Sequence, residues 1–536
     1  MPKTAPRLTV CAAILAMAGL AVTTGCGHGK RTVDVTDSTP TAADSLAAAR
    51  AHLLVPFADT VYASAADVHA VVTVYDTLTP GTVDNLGDMY ADAPGTMTLR
   101  RGPWRDARFG GHVTGTPAEI VIDWKFVTDE DYTPTEYGAW GGGTGWTGQP
   151  LYVEWPDSCV TRQRRGGGMT ADFSPREVIV GSLACKVYFI NFETGLPSRR
   201  PIDTGGNPVK GTVSLDPTLN GNLYVGQGVP AHRPFGALVM DLNSHRVTDF
   251  VAEDPRARRR WGAYDSSPLR VGRFVFRPGE NGIIYKYTVT PGHLRLHSTL
   301  LYTAGWASPG IEASMVAYRN YGYTGDNHGH VVCFDLNTLQ PVWHYDLGDD
   351  IDATPVLAEE DGVPYLYVCC EVDRQAEGQA RMAKLRADNG TPVWVNSTDA
   401  VRHDKDGKHF DGGYYGTPLL GTADCDSLIY DHCVLNAHER QNGVFVAIDR
   451  RTGRQVWSRE LRGYGWSSPV AFTNDSGQMF VFAADCYGWC YVMRGTDGEL
   501  LAQKHVGSNF ESSPVVVGNS LVMGSRGNTI YKMSIK

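Results

Sequence analysis

The residues best equipped for chemistry fall in a few short stretches of this chain. Cys369 and Cys370 are adjacent, a pairing that suggests a redox disulfide. They end the run YLYVCC, which reads as a strand. Neighbouring side chains of a strand point to opposite faces, and an eight-membered disulfide ring would strain the peptide between them. Two separate thiols are expected. The stretch RHDKDGKHFDGG gathers His403, Asp404, Asp406, His409 and Asp411, oxygen and imidazole donors suited to Ca²⁺ or another metal. Gly407 follows Asp406 directly and no Glu closes the loop, so the pattern of a calcium hand is missing and a solvated polar insertion is expected. GDNHGH places His328 and His330 along a predicted hairpin, as turn residues. No hydrolase elbow, zincin helix or phosphate-binding loop occurs, and GGGTGWTG has no helix after it. These motifs assign no catalytic residue and no metal.

The elements that would position such residues repeat along the chain. AIDRRTGRQVW (Ala447 to Trp457) returns as CFDLNTLQPVW ending at Trp343, AKLRADNGTPVW ending at Trp394, VMRGTDGELLA ending at Ala502, VMDLNSHRVTDF ending at Phe250 and FINFETGLPS ending at Ser198. Each copy reads as strand, tight turn, strand, with turn-forming Asp, Asn, Thr or Gly between β-branched and aromatic flanks. A second landmark alternates with the first: Asp-Ser-Ser-Pro-Leu-Arg-Val at Asp265, DATPVLA at Asp352, YGTPLLG at Tyr415, WSSPVAF at Trp466 and ESSPVVV at Glu511. Weaker forms begin at Thr147, Lys210 and Glu312. These starts recur at spacings of roughly 40 to 63 residues, room for a four-stranded blade per unit.

The ends of the array complement one another. The last unit stops at Lys536 after three predicted strands, and an orphan strand carrying Trp124, EIVIDWKFV (Glu119 to Val127), precedes the first start. Pairing the two closes the ring and leaves no sheet edge open. The expected fold is all-β, an eight-bladed β-propeller of four-stranded antiparallel blades, its ring closed by an N-terminal strand on the C-terminal blade. Trp124, Trp343, Trp394 and Trp457, with Asp449, Thr452 and Gly453 of the fullest turn, are assigned blade-structural roles, Trp457 buried between blades.

On these motifs the chain resembles the PQQ-like repeat β-propellers, whose blades carry Ala-x-Asp-x-x-Thr-Gly-x-x-x-Trp and open on Ser-Pro-Val. The resemblance spans about Trp124 to Lys536. Within that family it looks closer to the BamB-like lipoproteins of outer-membrane β-barrel assembly than to the quinoprotein dehydrogenases. The dehydrogenase resemblance would imply pyrroloquinoline quinone (PQQ) on a vicinal disulfide, with Ca²⁺ and an Asp base. Those positions find no residue-by-residue match here, so no cofactor is expected outside that alternative.

Composition agrees with a single radial domain: 536 residues, with 60 Gly and 30 Pro to punctuate turns. A formal net charge of −10 without a long basic block argues against a nucleic-acid partner. The Arg clusters TRQRRGGG and DPRARRRW read as loops. Lys3 and Arg7 precede an apolar run, Leu8 to Val22, that is short for a membrane span, and VTTGC resembles a bacterial lipobox with Cys26 as the lipidated residue. Thr23 stands where Leu is usual, which also fits cleavage by an ordinary signal peptidase. The domain reading is residues 1–25 signal peptide, 26–52 flexible tether, 53–118 a poorly patterned lead-in packed on the ring, and 119–536 propeller. Beyond Cys11 and Cys26 nine cysteines remain, an odd number; Cys425 with Cys433 and Cys486 with Cys490 are candidate pairs, and buried free thiols fit equally.

With strands lettered A to D from the axis, the D-to-A and B-to-C connections share one face of the ring. Residues just before each A strand are therefore the candidate binding face: Tyr264, Asp265, Asp352, Tyr414, Tyr415, Tyr464, Trp466, Phe510 and Glu511. Tyr137, Trp140 and Trp146 join from the long first entry, and Tyr321, Tyr323, Arg233, Arg374, His438 and Arg440 from predicted B-to-C loops. An aromatic and acidic ring with an Arg fringe suits a protein or glycan contact. The leading functional expectation is a non-enzymatic, lipid-anchored, monomeric propeller. It would act as a scaffold for an envelope protein or extended polymer, at the outer membrane facing the periplasm. A PQQ-dependent oxidoreductase of alcohols or sugars and a glycan-binding envelope protein are the alternatives.

Overall fold

The computed structural model describes residues 67–107, 110–146, 148–257, 259, 261–305, 309–405, 408–436 and 443–536. The signal peptide, the tether, Cys26, Asp406, His438 and Arg440 lie outside them, as does the side chain of Asp404. Among the described residues no helix is long and apolar enough to cross a membrane.

Eight antiparallel sheets form the eight expected blades. Their innermost strands are Leu151–Glu154, Ser214–Leu215, Leu269–Val271, Val316–Tyr318, Val356–Glu360, Leu419–Leu420, Val470–Asn474 and Val515–Val517. Each begins within a few residues of one of the predicted starts. The last blade is completed by Ile120–Val127, antiparallel to Thr529–Ile535 with Ile120 opposite Ile535 and Val127 opposite Thr529. The ring closes as the chain ends imply.

Two repeated devices hold neighbouring blades together. In the C-to-D turn, Asp449 Oδ1 accepts from the Arg451 and Thr452 amides and the Thr452 hydroxyl, at 3.1, 2.7 and 2.8 Å; Asp335 does the same for Asn337 and Thr338. Gly453 closes this turn at φ 72°, a left-handed conformation that glycine alone adopts freely. A Cβ there would lie 2.6 Å from the Trp394 indole of the preceding blade. That indole in turn donates Nε1–H to the Arg450 carbonyl at 2.9 Å. Trp124 to Phe192, Trp343 to Ala387 and Trp457 to Gly495 make the same bond, each packed on the next turn's glycine, Gly195, Gly390 and Gly498. Trp457 is half-buried, a correction to its expected burial, because it stands on the outermost strand of blade 6 between exposed neighbours and packs only in part against the core.

The second device explains the Ser or Thr ahead of the A strands. Its hydroxyl accepts a backbone N–H from the preceding blade: Gln149 to Thr212, Ser267 to Ser314, Ser314 to Thr354, Thr417 to Ser468 and Ser468 to Ser513, at 2.8 to 3.2 Å. The result is a series of hydrogen bonds across five of the eight blade junctions around the axis.

The lead-in is more structured than its sequence suggests. His69–Val74 adds a fifth strand outside blade 3, Gly95–Thr96 pairs with the A strand of blade 1, and Gly111–Val113 runs parallel to that of blade 7. Between them the chain fills the axis. Met97, Pro103 and Trp104 carbonyls accept from Leu215, Ala317 and Leu357 of three different A strands. Two buried guanidiniums complete the plug. Arg100 donates to the Pro418 and Pro469 carbonyls, and Arg105 to Thr98 Oγ1 and the Leu99, Ser267 and Met315 carbonyls. These bonds use acceptors left open where the innermost strands end.

All nine cysteines of the propeller are free and buried. Neither candidate disulfide forms, because the hydrophobic interior of the blades takes them as apolar side chains.

Candidate functional site

The plug closes the axis, so the D-to-A face ends in a floored mouth. Around it the first residues of seven start motifs take one position per blade: Lys210, Asp265, Glu312, Asp352, Tyr415, Trp466 and Glu511; the eighth, Thr147, lies outside the described residues. Asp352, Tyr464 and Trp466 are half-buried; Tyr264, Asp265, Tyr414, Tyr415, Phe510 and Glu511 are buried. Phe510 packs edge-on against Tyr531 and Tyr414 lies in the core of blades 5 and 6, so these two rings belong to blade packing. Tyr415 stacks on Trp466 with ring centroids 4.9 Å apart and donates to the Asp411 carbonyl at 2.5 Å. Tyr464 meets Trp466 edge-on at 6.1 Å. Tyr321 and Tyr323 are not loop residues. They sit on the B strand Tyr321–Gly325 and are buried, since their alternation with glycine continues the strand.

Two groups of charge fill the mouth. In the first, Lys210 Nζ stands 2.5 Å from Asp265 Oδ2 and 4.0 Å from Glu312 Oε2, while Arg259 lies 3.4 Å from Glu280. Ligating oxygens of Asp265, Glu280 and Glu312 fall within 4.8 Å of one another. Above the ammonium are Trp261 at 5.4 Å and Trp140 at 6.0 Å, with Tyr137 edge-on to Trp261 and Arg526 over Trp140. Burial pushes the Asp265 carboxyl up to about 7 and that of Glu280 well above its usual range. Burial acts on Glu312 too, but Lys210 holds it below its ordinary value.

In the second group carboxylates outnumber cations among the described residues: Arg402 stands 3.7 Å from Asp373. A two-strand pairing of Glu371–Val372 with Gly412–Tyr414 brings Glu371 and Asp411 beside Asp350, Asp352 and Asp373. Burial first, and neighbouring carboxylates second, raise Asp350, Asp352 and Glu371 well above the usual carboxylate range and Asp411 to about 8. Asp265 Oδ1, Asp350 Oδ1, Glu371 Oε1 and Asp411 Oδ1 are buried with no hydrogen-bond partner. Of the polar insertion weighed as a metal loop, Asp411 therefore joins the mouth.

Lys210, Glu280, Glu312, Trp261, Asp350, Glu371 and Asp373 were not foreseen as site residues. A signal existed for two of them, because Lys210 and Glu312 occupy the same register in their start motifs as Asp265 and Asp352. Glu280 and Glu371 follow B strands and carry no motif.

Residues 441–536 match the family model described as outer membrane protein assembly factor BamB. No curated protein matches the chain. Among solved structures, the quinohemoprotein alcohol dehydrogenase ADHIIG of Pseudomonas putida HK5 superposes with a TM-score of 0.58 at 13% identity, over 85% of this chain and 82% of its own. The quinohemoprotein alcohol dehydrogenase of Comamonas testosteroni gives 0.57 at 13%, over 83% and 82%. BamB of Moraxella catarrhalis gives 0.47 at 14%, over 69% and 95%. The fold is that of the PQQ-like repeat propellers. At these identities the likeness is one of architecture.

The vicinal disulfide that the quinoprotein resemblance implies is not formed. Cys369 Sγ is directed to the Gly416 carbonyl and Asp431, and Cys370 Sγ to the Gln379 carbonyl, so the adjacent thiols form no common platform. Trp140 and Trp261 stack directly, centroids 6.4 Å apart, whereas a planar ring between two others needs about 7 Å. Where a cation would neutralise Asp265 and Glu312, the Lys210 ammonium already stands.

Proposed function

We propose that this protein is a non-enzymatic, lipid-anchored scaffold of the bacterial envelope that binds a partner protein through its D-to-A mouth. The observation that carries this reading is the set of buried carboxyl oxygens without a hydrogen-bond partner on Asp265, Asp350, Glu371 and Asp411, on the face of the ring that also carries the half-buried Trp466 and Tyr464. An acceptor-rich pocket beside aromatic rings matches the ammonium or guanidinium of a basic segment. Such a group would add to the Arg402 guanidinium that the second acidic group holds among the described residues, and its stem would lie on the rings. The BamB description of the model matched by the last blades supports an envelope setting and a role in assembly. Cys26 would tether the ring from its N-terminal side.

The test is to incubate the purified mature protein with PQQ and Ca²⁺ and, in parallel, to recover the tagged protein from native membranes. The proposal expects no bound quinone absorbance, no dye-linked oxidation of alcohols or sugars, and a stoichiometric protein partner. Turnover would overturn it. Binding on a polysaccharide array without a protein partner would replace it by the glycan reading.

A further inference from the structure

Arg277 poses a separate problem of charge. It lies on the B strand Phe274–Gly279 of blade 3, on the side turned towards blade 2, and is 1% exposed. None of its Nε, Nη1 and Nη2 atoms has a hydrogen-bond partner. Among the described residues no carboxylate pairs with it. Its surroundings are tyrosines: the guanidinium stands 5.9 Å from the Tyr264 ring centroid, Tyr285 is directly across the strand pair, and Tyr287 stacks on Tyr285 at 5.8 Å. All three rings are buried.

The donors and acceptors of this cluster do not balance. Asn281 Nδ2 donates to the Tyr264 and Tyr285 hydroxyls at 3.3 and 2.7 Å, which occupies oxygen lone pairs. The guanidinium brings five N–H groups and no acceptor. Asp254, whose charge reaches Tyr285 and Tyr287, is committed to Arg256 through Nε at 2.8 Å and the backbone amide at 2.9 Å. A tyrosinate cannot serve, because burial holds the Tyr264 and Tyr287 hydroxyls well above their ordinary range and Tyr285 at about 12. Ring faces ease a buried cation but do not use its hydrogen bonds. A water accepts two bonds and brings no charge, so it would leave the ion uncompensated.

We propose that the interface of blades 2 and 3 holds a small monovalent anion of the halide class, bound by the Arg277 guanidinium and the neighbouring tyrosine hydroxyls. Burial on all sides favours a monatomic ion over a carboxylate ligand, and the electropositive ring edges suit an anion. Tyr264 directly precedes Asp265, so the ion would brace the wall of the mouth without entering it.

Crystals of the full chain grown in bromide test this directly. The expected result is an anomalous peak within hydrogen-bond reach of Arg277. A second measurement follows thermal unfolding while chloride replaces gluconate at constant ionic strength. Ligand linkage predicts a melting temperature that rises with chloride for the natural protein and is flat for Arg277→Met. A water without anomalous signal at Arg277, or the same chloride dependence in both proteins, overturns the proposal. If Arg277→Met does not fold, the bromide peak alone decides.

Discussion

At the scale of single residues, the blade-locking tryptophans differ in what surrounds them. Trp343 is fully buried and Trp457 half-buried, although both donate to a carbonyl of the next turn. Truncating a buried Trp costs about 3 to 5 kcal/mol, so Trp343→Ala should lower the denaturant midpoint more than Trp457→Ala; equal midpoints would contradict the inter-blade assignment. Asp431 gives a pH prediction. Burial raises its carboxyl from 3.8 to about 8, so the folded state binds a proton that the unfolded chain releases. The sign follows: its contribution is complete below about pH 4 and is lost as pH rises to about 8. Calorimetry should show Asp431→Asn flattening the fall in melting temperature across that range. An unchanged slope would mean that Asp431 is ionised in the fold. Gly453 and Asp449 were legible from sequence because the turn recurs with a side-chain acceptor first and a left-handed residue last in most copies, although Leu339 and His245 take the left-handed place in two of them. Arg100 and Arg105 were not, since their partners are backbone carbonyls that leave no trace in side-chain identity.

Among elements, the closing strand is the one whose removal is most informative. Among the described residues Ile120–Val127 is the sole partner of Thr529–Ile535 on its outer side, and deleting it would expose a sheet edge. Deletion of 119–127 should yield protein that aggregates and melts at lower temperature. A soluble, equally stable deletion would refute closure. The axial plug makes a second prediction at this scale. Arg105→Met would orphan acceptors at Ser267, Met315, Leu99 and Thr98, at about 1 to 3 kcal/mol for each group left unsatisfied. A melt indistinguishable from the natural protein would show the plug to be passive. The blades were readable because period, turn residues and chain ends all specify one ring. The lead-in was opaque because it repeats nothing, adds short strands to three blades and reaches three others through single backbone bonds. The Ser and Thr bonds lie within the start motif, where sequence alone shows only a small polar residue before proline.

For the molecule as a whole, the sequence placed a face and the structure redistributed its residues. The strand register sets Asp265, Asp352, Tyr415 and Trp466 at the same position ahead of their A strands. It could not show that Tyr414 and Phe510 turn into the blades, because one residue's step along a strand exchanges core for solvent. Nor could it show the strand pairing that brings Glu371 and Asp411 together from positions 40 residues apart. The account rests on that acidic mouth receiving a basic segment of a partner. Its most direct test compares native-membrane recoveries of the tagged natural protein with the triple variant Asp352→Asn, Glu371→Gln, Asp411→Asn. These amides keep the shape and remove carboxyls that burial already disfavours as ions, so the variant should melt at the same temperature or higher. The account predicts that partner recovery falls at least about tenfold, the loss of 1.4 kcal/mol of binding. Undiminished recovery by a stably folded triple variant would contradict it.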